Sequence, residues 1–291
     1  MATMSQWVGG ARPRTLPAAI APVAVGAGLA AWASAFNLGR SLLALLVAVA
    51  LQVGVNYAND YSDGIKGTDR QRVGPIRLVG QELAPAREVR AAALASFLVA
   101  ALAGLALVML TSQWWLLAVG AASIAAAWLY TGGPRPYGYA GLGEVFVFVF
   151  FGVVPVVGTA YVQTLTITWP DVLASVGVGL LACAILVTNN LRDIPGDSVA
   201  GKRTLAVRIG ESRTRALYVG LVVVGLVVPV PLALLTAPLV ALGSATAILA
   251  IAPIRVVSSG ARGPGLIPAL KQTGVLLLVY GLALGLLLAL A

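Results

Sequence analysis

Residues 42–63 read LLALLVAVALQVGVNYANDYSD, an apolar run that ends in a cluster of Asn and Asp. A helix needs ~20 apolar residues to cross ~30 Å of hydrocarbon, and this run has nearly that length. Hydrophobic residues make up 59% of the chain and charged residues 10%, against about 25% charged residues in an ordinary soluble domain. The stretch and the composition together predict an all-α integral membrane protein.

Similar apolar runs recur along the whole chain, so we predict a bundle of nine transmembrane helices. The predicted spans are residues 16–36, 42–58, 91–111, 114–130, 140–161, 172–188, 216–235, 239–257 and 270–291. We expect the first span to be retained rather than cleaved as a signal, because it is long and eight more follow. The whole of 1–291 is predicted to be a single polytopic domain.

The basic residues predict how this bundle is oriented. With nine spans and a cytoplasmic N-terminus, 18 of the 19 Lys and Arg residues fall in inner segments, and only Arg40 falls outside. This matches the positive-inside rule. The net charge of +9 is therefore explained by topology, and nucleic-acid binding is the weaker account. The predicted location is the inner (plasma) membrane of the cell.

The Asn/Asp cluster at the end of the second span has a second copy at the end of the sixth. Residues 189–197 read NNLRDIPGD, and basic residues follow each copy. Helical spacing places the Asn and Asp of each copy on one face of its helix. The displacement of four spans between the copies indicates an internal duplication, with motifs near 56–69 and 189–203. The alternative is that both copies are helix caps and solvated loop acids.

Chemistry in this chain must use oxygen and nitrogen groups other than imidazole. The chain has no His, and its one Cys, Cys183, lies inside an apolar span. Carboxylates that converge in a low-dielectric bundle repel one another unless a cation binds between them. Mg²⁺ prefers hard oxygen ligands and accepts phosphate oxygens beside them. The paired motifs therefore favour a divalent cation that bridges to a diphosphate.

Two further groups of residues are candidates for a site. Lys202 and Arg203 follow Gly201 shortly after Asp197 and could hold phosphate oxygens, although inner basic residues can also be simple topology anchors. Glu144 is the only acid embedded in an apolar run, and an intramembrane carboxylate is a functional candidate. Its alternative is an interfacial acid. The aromatic residues near Glu144 could stabilise a carbocation or form a membrane belt.

The chain resembles the UbiA-type intramembrane aromatic prenyltransferases. The two Asp-rich motifs of that family look like NDxxD at 59–63 and DxxxDxxxGKxT at 193–204. One departure is Gly67, where much of the family has a further Asp; Asp69 lies two residues later. Within the family the chain looks most like the polyprenyltransferases that act on 1,4-dihydroxy-2-naphthoate in menaquinone synthesis. That likeness rests on RPRTLP at 12–17, NYANDYSD at 56–63, RVGP at 72–75 and GLGE at 141–144.

The resemblance implies a bundle around a central cavity that opens to lipid, with both motifs over its inner mouth. It implies Mg²⁺, as two ions, held by Asn56, Asn59, Asp60, Asp63, Asn190, Asp193 and Asp197. It implies that the substrates are bound by Lys66, Arg72, Tyr130, Arg135, Tyr139, Lys202 and Arg203. The four Asp of the motifs and Glu144 would be catalytic, with Glu144 positioning or deprotonating the hydroxyl of the aromatic substrate.

The implied reaction transfers a polyprenyl group from its diphosphate to the naphthoate, with loss of CO₂ and diphosphate, to give demethylmenaquinone. The alternative within the family is transfer to 4-hydroxybenzoate. A membrane transporter is the main alternative of another class, since duplicated helices and intramembrane acids suit it too. The acids cluster at one membrane face, however, whereas an ion path requires acids near the midplane. A lipid-diphosphate phosphatase or phosphotransferase is a third alternative.

Overall fold

The computed structural model describes residues 2–67 and 76–291. Every regular element in these two ranges is helical, which confirms the prediction of an all-α protein. Asp69, Arg70 and Arg72, which the sequence placed in the loop after the first motif, lie outside the described residues.

The described residues form twelve α-helices with short 3₁₀ or π segments between some of them. The helices are α1 (Met4–Ala11), α2 (Pro17–Trp32), α3 (Leu38–Ile65), α4 (Ala86–Thr111), α5 (Leu116–Leu129), α6 (Gly143–Val147), α7 (Val154–Thr164), α8 (Trp169–Val199), α9 (Leu205–Val227), α10 (Pro229–Leu235), α11 (Ile251–Ser258) and α12 (Ile267–Ala289). A π segment, Phe148–Val153, joins α6 to α7, and the 3₁₀ segment Pro238–Ala250 joins α10 to α11.

Fewer segments than nine have the length of a full membrane span. Within the described residues, seven helical segments are long and apolar enough to cross a bilayer, or eight if the bent pair Met4–Thr15 and Pro17–Trp32 forms one span. The fourth predicted span corresponds to α5, which has 14 residues and is shorter than the ~20 that hydrocarbon requires. The multi-pass membrane class is thus supported, while the count of nine and the cytoplasmic N-terminus remain predictions.

Both Asn/Asp motifs are helical in the structure. The predicted second and sixth spans end at 58 and 188, but α3 continues to Ile65 and α8 continues to Val199. Each motif therefore forms the last turns of a long helix, where side chains three and four residues apart share a face. α8 keeps its helical form through Pro195.

Close contact between backbones holds α2 against α12. A Cβ added to Gly28 would lie 2.2 Å from the carbonyl oxygen of Gly285, and one added to Gly281 would lie 2.5 Å from the Cβ of Ala21. Small residues at such crossings let membrane helices approach closely and gain van der Waals contact. This crossing packs α12 beside the wall of the cavity described below.

Arg40 lies at the end of α3 that is opposite to the motif. Its Nη1 donates to the carbonyl oxygen of Val162 at 2.9 Å and its Nη2 to that of Leu110 at 3.3 Å. Asn37 caps α3 by accepting from the backbone N–H of Arg40 at 3.0 Å. The one basic residue that the sequence placed on the outer side thus satisfies carbonyl groups at helix ends.

Candidate active site

Asp60 of the first motif is completely buried and binds backbone rather than side chains among the described residues. Its Oδ2 accepts from the N–H of Leu78 at 2.7 Å and its Oδ1 from the N–H of Val79 at 3.1 Å. Successive backbone amides that donate to one carboxylate hold a loop strongly, because the acceptor is charged. Asp60 therefore anchors the chain that returns after residue 75 to the end of α3.

Asp63 is the point at which the two motifs meet. Its Oδ1 accepts from the hydroxyl of Tyr139 at 2.5 Å and from Nζ of Lys202 at 3.2 Å. Lys202 is 7% exposed, and its ammonium lies 4.6 Å from the centre of the Tyr139 ring, a cation–π contact. Lys202 follows the second motif, so this buried ion pair joins the end of α8 to the end of α3.

Lys66 extends this group toward the segment between α5 and α6. Its Nζ donates to the carbonyl oxygens of Thr131 at 2.6 Å and Gly133 at 3.3 Å, and lies 5.1 Å from the centre of the Tyr139 ring. Partial burial lowers the pKa of Lys66, and the positive charge of Lys202 lowers it further, while Asp63 opposes both. Two ammonium groups thus flank one aromatic ring beside one carboxylate.

Arg192 of the second motif contacts two acceptor residues of the same motif within α8. Nε and Nη2 of Arg192 donate to the two carboxylate oxygens of Asp193 at 2.7 and 2.8 Å, and Nη2 also donates to Oδ1 of Asn189 at 2.9 Å. Asn190 instead faces α6, where its Nδ2 donates to Oε1 of Glu144 at 3.1 Å. The two-point pairing of Arg192 with Asp193 is the strong geometry for an arginine and a carboxylate.

The last turn of α8 carries Asp197, and the turn that follows leads to Lys202. Asp197 is buried, and its backbone carbonyl accepts from the N–H of Lys202 at 2.8 Å. Gly201 has φ +72°, a left-handed conformation that glycine adopts without steric cost. The Gly-Lys order in the motif therefore reflects a tight turn that points the lysine back at Asp63.

A cavity of about 1070 Å³ lies beside the motifs. The motifs contribute Asn56, Asn59, Asn189 and Arg192 to its wall, and most of the remaining wall is apolar. A wall of this kind, apolar with a few converging polar groups, is typical of a ligand site. The polar end of the cavity thus coincides with the ends of α3 and α8.

Aromatic side chains line one side of this cavity. The rings of Tyr137 and Phe146 stack with their centres 3.8 Å apart, and Tyr130 packs edge-on against Tyr137 at 5.5 Å. The hydroxyl of Tyr137 donates to the carbonyl of Ala126 at 2.7 Å, and burial raises the pKa of Tyr137. These rings present π surfaces to whatever the cavity holds.

Residues 19–264 match the UbiA prenyltransferase family. The chain belongs to this family. It is 56% identical over 283 residues to the 1,4-dihydroxy-2-naphthoate octaprenyltransferase of Mycobacterium tuberculosis, with 97% of this chain and 96% of that protein covered. It is 42% identical over 227 residues to the Escherichia coli protein of the same name, with 76% and 74% covered.

Solved structures share the fold. A UbiA homolog from Archaeoglobus fulgidus bound to DMAPP and Mg²⁺ superposes with a TM-score of 0.68 at 16% identity, covering 96% of this chain and 98% of that one. The apo structure of a UbiA homolog from Aeropyrum pernix K1 gives 0.71 at 15% identity, covering 91% and 96%. At these identities the likeness concerns the fold alone.

The structure of this UbiA-family chain brings some predicted site residues together and leaves others apart. Asp63, Lys66, Tyr139 and Lys202 form one contact group, as described above. The side chains of Arg135 and Arg203 are exposed, and Arg203 contributes its backbone N–H, which donates to the carbonyl of Tyr139 at 2.9 Å. Arg72 lies outside the described residues.

Glu144 lies beside the second motif rather than on the wall of the cavity. Its Oε1 accepts from Asn190, and within the described ranges its buried Oε2 has no hydrogen-bond partner. The carbonyl of Glu144 accepts from Sγ of Cys183 at 3.1 Å. The predicted role at a substrate hydroxyl therefore stays a prediction, and the geometry favours action through Asn190.

Several residues of the site were missed from the sequence. Arg12, Thr15, Gln52 and Arg192 all line the cavity. Arg192 lies inside the second motif, and Arg12 and Thr15 lie in RPRTLP. The motif patterns alone give these three side chains no role. Gln52 is the one polar residue among residues 42–55 of the second predicted span. A single polar residue in an apolar run is the sequence signal that points to it.

The described acids do not form a metal site by themselves. Among residues 2–67 and 76–291, no group of three or more His, Cys, Asp or Glu side chains is placed to hold a metal ion. Asp60 already accepts two backbone N–H bonds, and Asp193 already accepts the fork of Arg192. The all-oxygen donor set nevertheless suits Mg²⁺, which binds proteins through one or two carboxylates with waters and substrate phosphates.

Proposed function

We propose that this chain transfers a polyprenyl group from a polyprenyl diphosphate to 1,4-dihydroxy-2-naphthoate, with release of diphosphate and CO₂, to give demethylmenaquinol, the hydroquinone form of demethylmenaquinone. The observation that carries the proposal is the large apolar cavity whose wall includes Asn residues of both motifs, together with the buried pair of Lys202 and Asp63 that joins the motifs. The names of the relatives from Mycobacterium tuberculosis and Escherichia coli support the choice of acceptor.

The diphosphate of the donor would bind at the junction of the motifs. Lys66 and Lys202 flank Asp63 there, and ammonium groups form charge-assisted contacts to phosphate oxygens. The side chain of Arg203 is exposed at the same turn, so it contributes less than Lys202. The isoprenoid tail would lie along the apolar wall, which explains why the enzyme is built inside a membrane.

Mg²⁺ fits this arrangement as the partner of the diphosphate. Asp63, Asp193 and Asp197 would hold it with the amide oxygens of Asn59 and Asn190, while Asp60 mainly secures the loop. A bound divalent cation supplies charge neutralisation for the leaving diphosphate. Lys202 pairs with Asp63 and Arg192 with Asp193, so these two buried carboxylates each face a positive charge.

The cavity would protect the reaction that follows loss of diphosphate. When the allylic C–O bond breaks, positive charge remains on the prenyl carbon, and the rings of Tyr130, Tyr137 and Phe146 stand in the cavity wall to stabilise it. The apolar surroundings exclude water, which otherwise captures such an intermediate. The electron-rich ring then attacks, and one C–C bond replaces the C–O bond.

Decarboxylation balances the reaction without a general base. If the ring carbon that bears the carboxylate is attacked, loss of CO₂ restores aromaticity and leaves no proton to remove. Glu144 is then not required as a base. We propose that it orients the amide of Asn190, to which it is hydrogen-bonded.

Purified protein in lipid nanodiscs tests the proposed reaction. With a polyprenyl diphosphate, 1,4-dihydroxy-2-naphthoate labelled in its carboxyl group, and Mg²⁺, we expect demethylmenaquinol, together with demethylmenaquinone formed from it by oxidation in air, by mass spectrometry and an equal combined yield of labelled CO₂. Removal of Mg²⁺ with EDTA should stop both. Prenylated 4-hydroxybenzoate as the preferred product would overturn the choice of acceptor. Release of phosphate without any prenylated product would point instead to a phosphatase.

We further propose that both motifs face the cytoplasm. The basic residues of the inner segments support this orientation. Single cysteines placed at Ala140 and at Phe36, in a Cys183→Ser background, would be labelled by a membrane-impermeant maleimide in inverted vesicles and in intact cells, respectively. The opposite pattern would reverse the assignment.

A further inference from the structure

Gln52, a residue of the cavity wall, has a buried acceptor oxygen without a partner among the described residues. Gln52 lies in α3, is 5% exposed and forms part of the cavity wall. Its Oε1 is buried and makes no hydrogen bond within the described ranges. Buried polar side-chain atoms are nearly always hydrogen-bonded, so such an atom on a ligand cavity calls for an explanation.

Thr15 determines which way the Gln52 amide points. The hydroxyl of Thr15 donates its one proton to the carbonyl of Arg12 at 2.9 Å. Its oxygen can then only accept, and it receives Nε2 of Gln52 at 2.8 Å and Nδ2 of Asn56 at 2.9 Å. Because the nitrogen of Gln52 must face Thr15, its oxygen is held on the side away from Thr15 and cannot be exchanged by an amide flip.

The identity of the missing partner follows from hydrogen-bond chemistry. An amide oxygen accepts only from a donor. The isoprenoid tail of a prenyl donor has no donor group, and its diphosphate is a set of acceptor oxygens. A phenolic hydroxyl is a donor. Of the two organic substrates in the proposed reaction, only the hydroxylated aromatic acceptor offers Gln52 a donor, while Mg²⁺ is assigned above to the motif carboxylates and to the amides of Asn59 and Asn190.

The surroundings of Gln52 suit an aromatic acid. Arg12 and Arg192 line the same cavity, and guanidinium groups are the preferred partners of carboxylates. Gln52 precedes Asn56 by four residues in α3, which places it about 6 Å deeper along the helix. A ring at that depth lies between the polar end of the cavity and its apolar wall, where a prenyl carbon would be presented.

We infer that Gln52 is a specificity residue that recognises a ring hydroxyl of the aromatic acceptor through Oε1, with Thr15 as the positioning residue that holds its amide. This inference rests on the proposed function for the identity of the acceptor. It adds a neutral acceptor to the site, which binds a hydroxyl without removing its proton. That suits a substitution in which CO₂, rather than a proton, leaves the ring.

Paired inhibitors test the inference apart from turnover. 4-Hydroxy-2-naphthoate and 2-naphthoate differ by one hydroxyl, which is too far from the carboxylate to bond to it internally, and displacement of a fluorescent acceptor analogue gives their affinities. We expect the wild type to prefer the hydroxylated acid by about tenfold, the value of one hydrogen bond. Gln52→Met removes the acceptor oxygen at similar side-chain length and should abolish that preference, so that the two acids bind with about equal affinity. Its KM for polyprenyl diphosphate should stay unchanged.

Gln272→Met is the matched control. Gln272 lies in α12 and also has a buried Oε1 without a partner in the described part of the chain, but it lines a different, outer groove. Its substitution should leave the hydroxyl preference intact. Thr15→Val provides a second test should Gln52→Met fail to fold, because it releases the Gln52 amide without changing Gln52 and should also weaken the preference.

The outcomes separate the inference from the proposed function. An undiminished hydroxyl preference in Gln52→Met, or in Thr15→Val if only that variant folds, would overturn the role of Gln52. A wild type that prenylates 4-hydroxybenzoate but not the naphthoate would overturn the proposed acceptor. A preference lost in Gln52→Met while the wild type still produces demethylmenaquinol would support both.

Discussion

The two Asn/Asp motifs look alike in sequence but are used differently in the structure. In the first, Asp60 binds the backbone of residues 78 and 79, and Asp63 binds Tyr139 and Lys202 from distant segments. In the second, Asp193 is held by the adjacent Arg192 of its own helix. The first motif therefore joins parts of the bundle, whereas Asp193 of the second is bound by an arginine of its own helix.

This difference shows that Asp residues in similar motifs need not have the same role. A buried carboxylate requires compensating donors or positive charge. Asp60, Asp63 and Asp193 obtain them from different kinds of group. Asp60 receives backbone amides, which are structural partners. Asp63 receives lysine and tyrosine side chains, which can move to admit a ligand. The division predicts that substitutions in one motif fall into separate classes.

The largest contrast should come from Asp63→Asn and Asp60→Asn. We expect Asp63→Asn to fold and to lose roughly 100–1000-fold in kcat, because it removes a charge at the site where the diphosphate is neutralised. Asp60→Asn keeps one acceptor oxygen but presents an NH₂ to a backbone N–H, so it should lower stability by about 1–3 kcal/mol. Thermal unfolding and turnover at saturating Mg²⁺ measure the two effects. Full activity in Asp63→Asn would show that Asp63 is not required at the diphosphate site, and the proposed contrast with Asp60 would be wrong.

A smaller contrast concerns the lysine that bridges the motifs. Lys202→Met should raise the KM for polyprenyl diphosphate or lower kcat by roughly 10–150-fold, since a charge-assisted hydrogen bond is worth about 1.5–3 kcal/mol. Arg203→Met, one residue further on and exposed, should change either constant by less than about threefold. Steady-state kinetics of both variants, with Arg87→Met as a distant control, gives the comparison. Equal effects at 202 and 203 would mean that burial does not make Lys202 more important than Arg203 for binding the diphosphate.

The smallest effect should follow from Glu144→Gln. The amide still accepts from Asn190 through its oxygen, so the local hydrogen bond remains while the charge is lost. We expect turnover to fall by less than about tenfold and binding of a non-hydrolysable prenyl diphosphate analogue to be unchanged, because a reaction that releases CO₂ needs no base at this position. A loss of more than 100-fold, with a changed pH profile, would restore Glu144 as a proton acceptor.

Much of the fold was predictable, for a simple reason. The hydrocarbon core requires long apolar helices, so composition and run length led directly to a multi-pass helical bundle. The ends of those helices were not predictable from hydropathy. α3 and α8 continue for seven and eleven residues beyond the predicted spans at 58 and 188, because polar residues stay helical where a protein interior supplies partners.

The candidate site was predictable in residue type and only partly in arrangement. The motifs predicted oxygen ligands beside lysines, and Lys202 is indeed buried against Asp63. Thr15, Gln52 and Arg192 were missed because each becomes a wall residue only when α2, α3 and α8 surround one cavity. Arg135 and Arg203, which looked equivalent to the buried lysines in sequence, have exposed side chains.

The sequence by itself determined that the chain is an intramembrane helical protein and that its polar chemistry lies at the ends of two helices. Local pattern is sufficient for those conclusions because each depends on residues near one another in the chain. Only the tertiary structure decided which partner each oxygen has. Asp63 meets a lysine 139 residues away, and the amide nitrogen of Gln52 donates to a threonine that precedes another helix. In a low-dielectric interior those long-range pairings determine which polar groups are satisfied and which remain to bind a substrate.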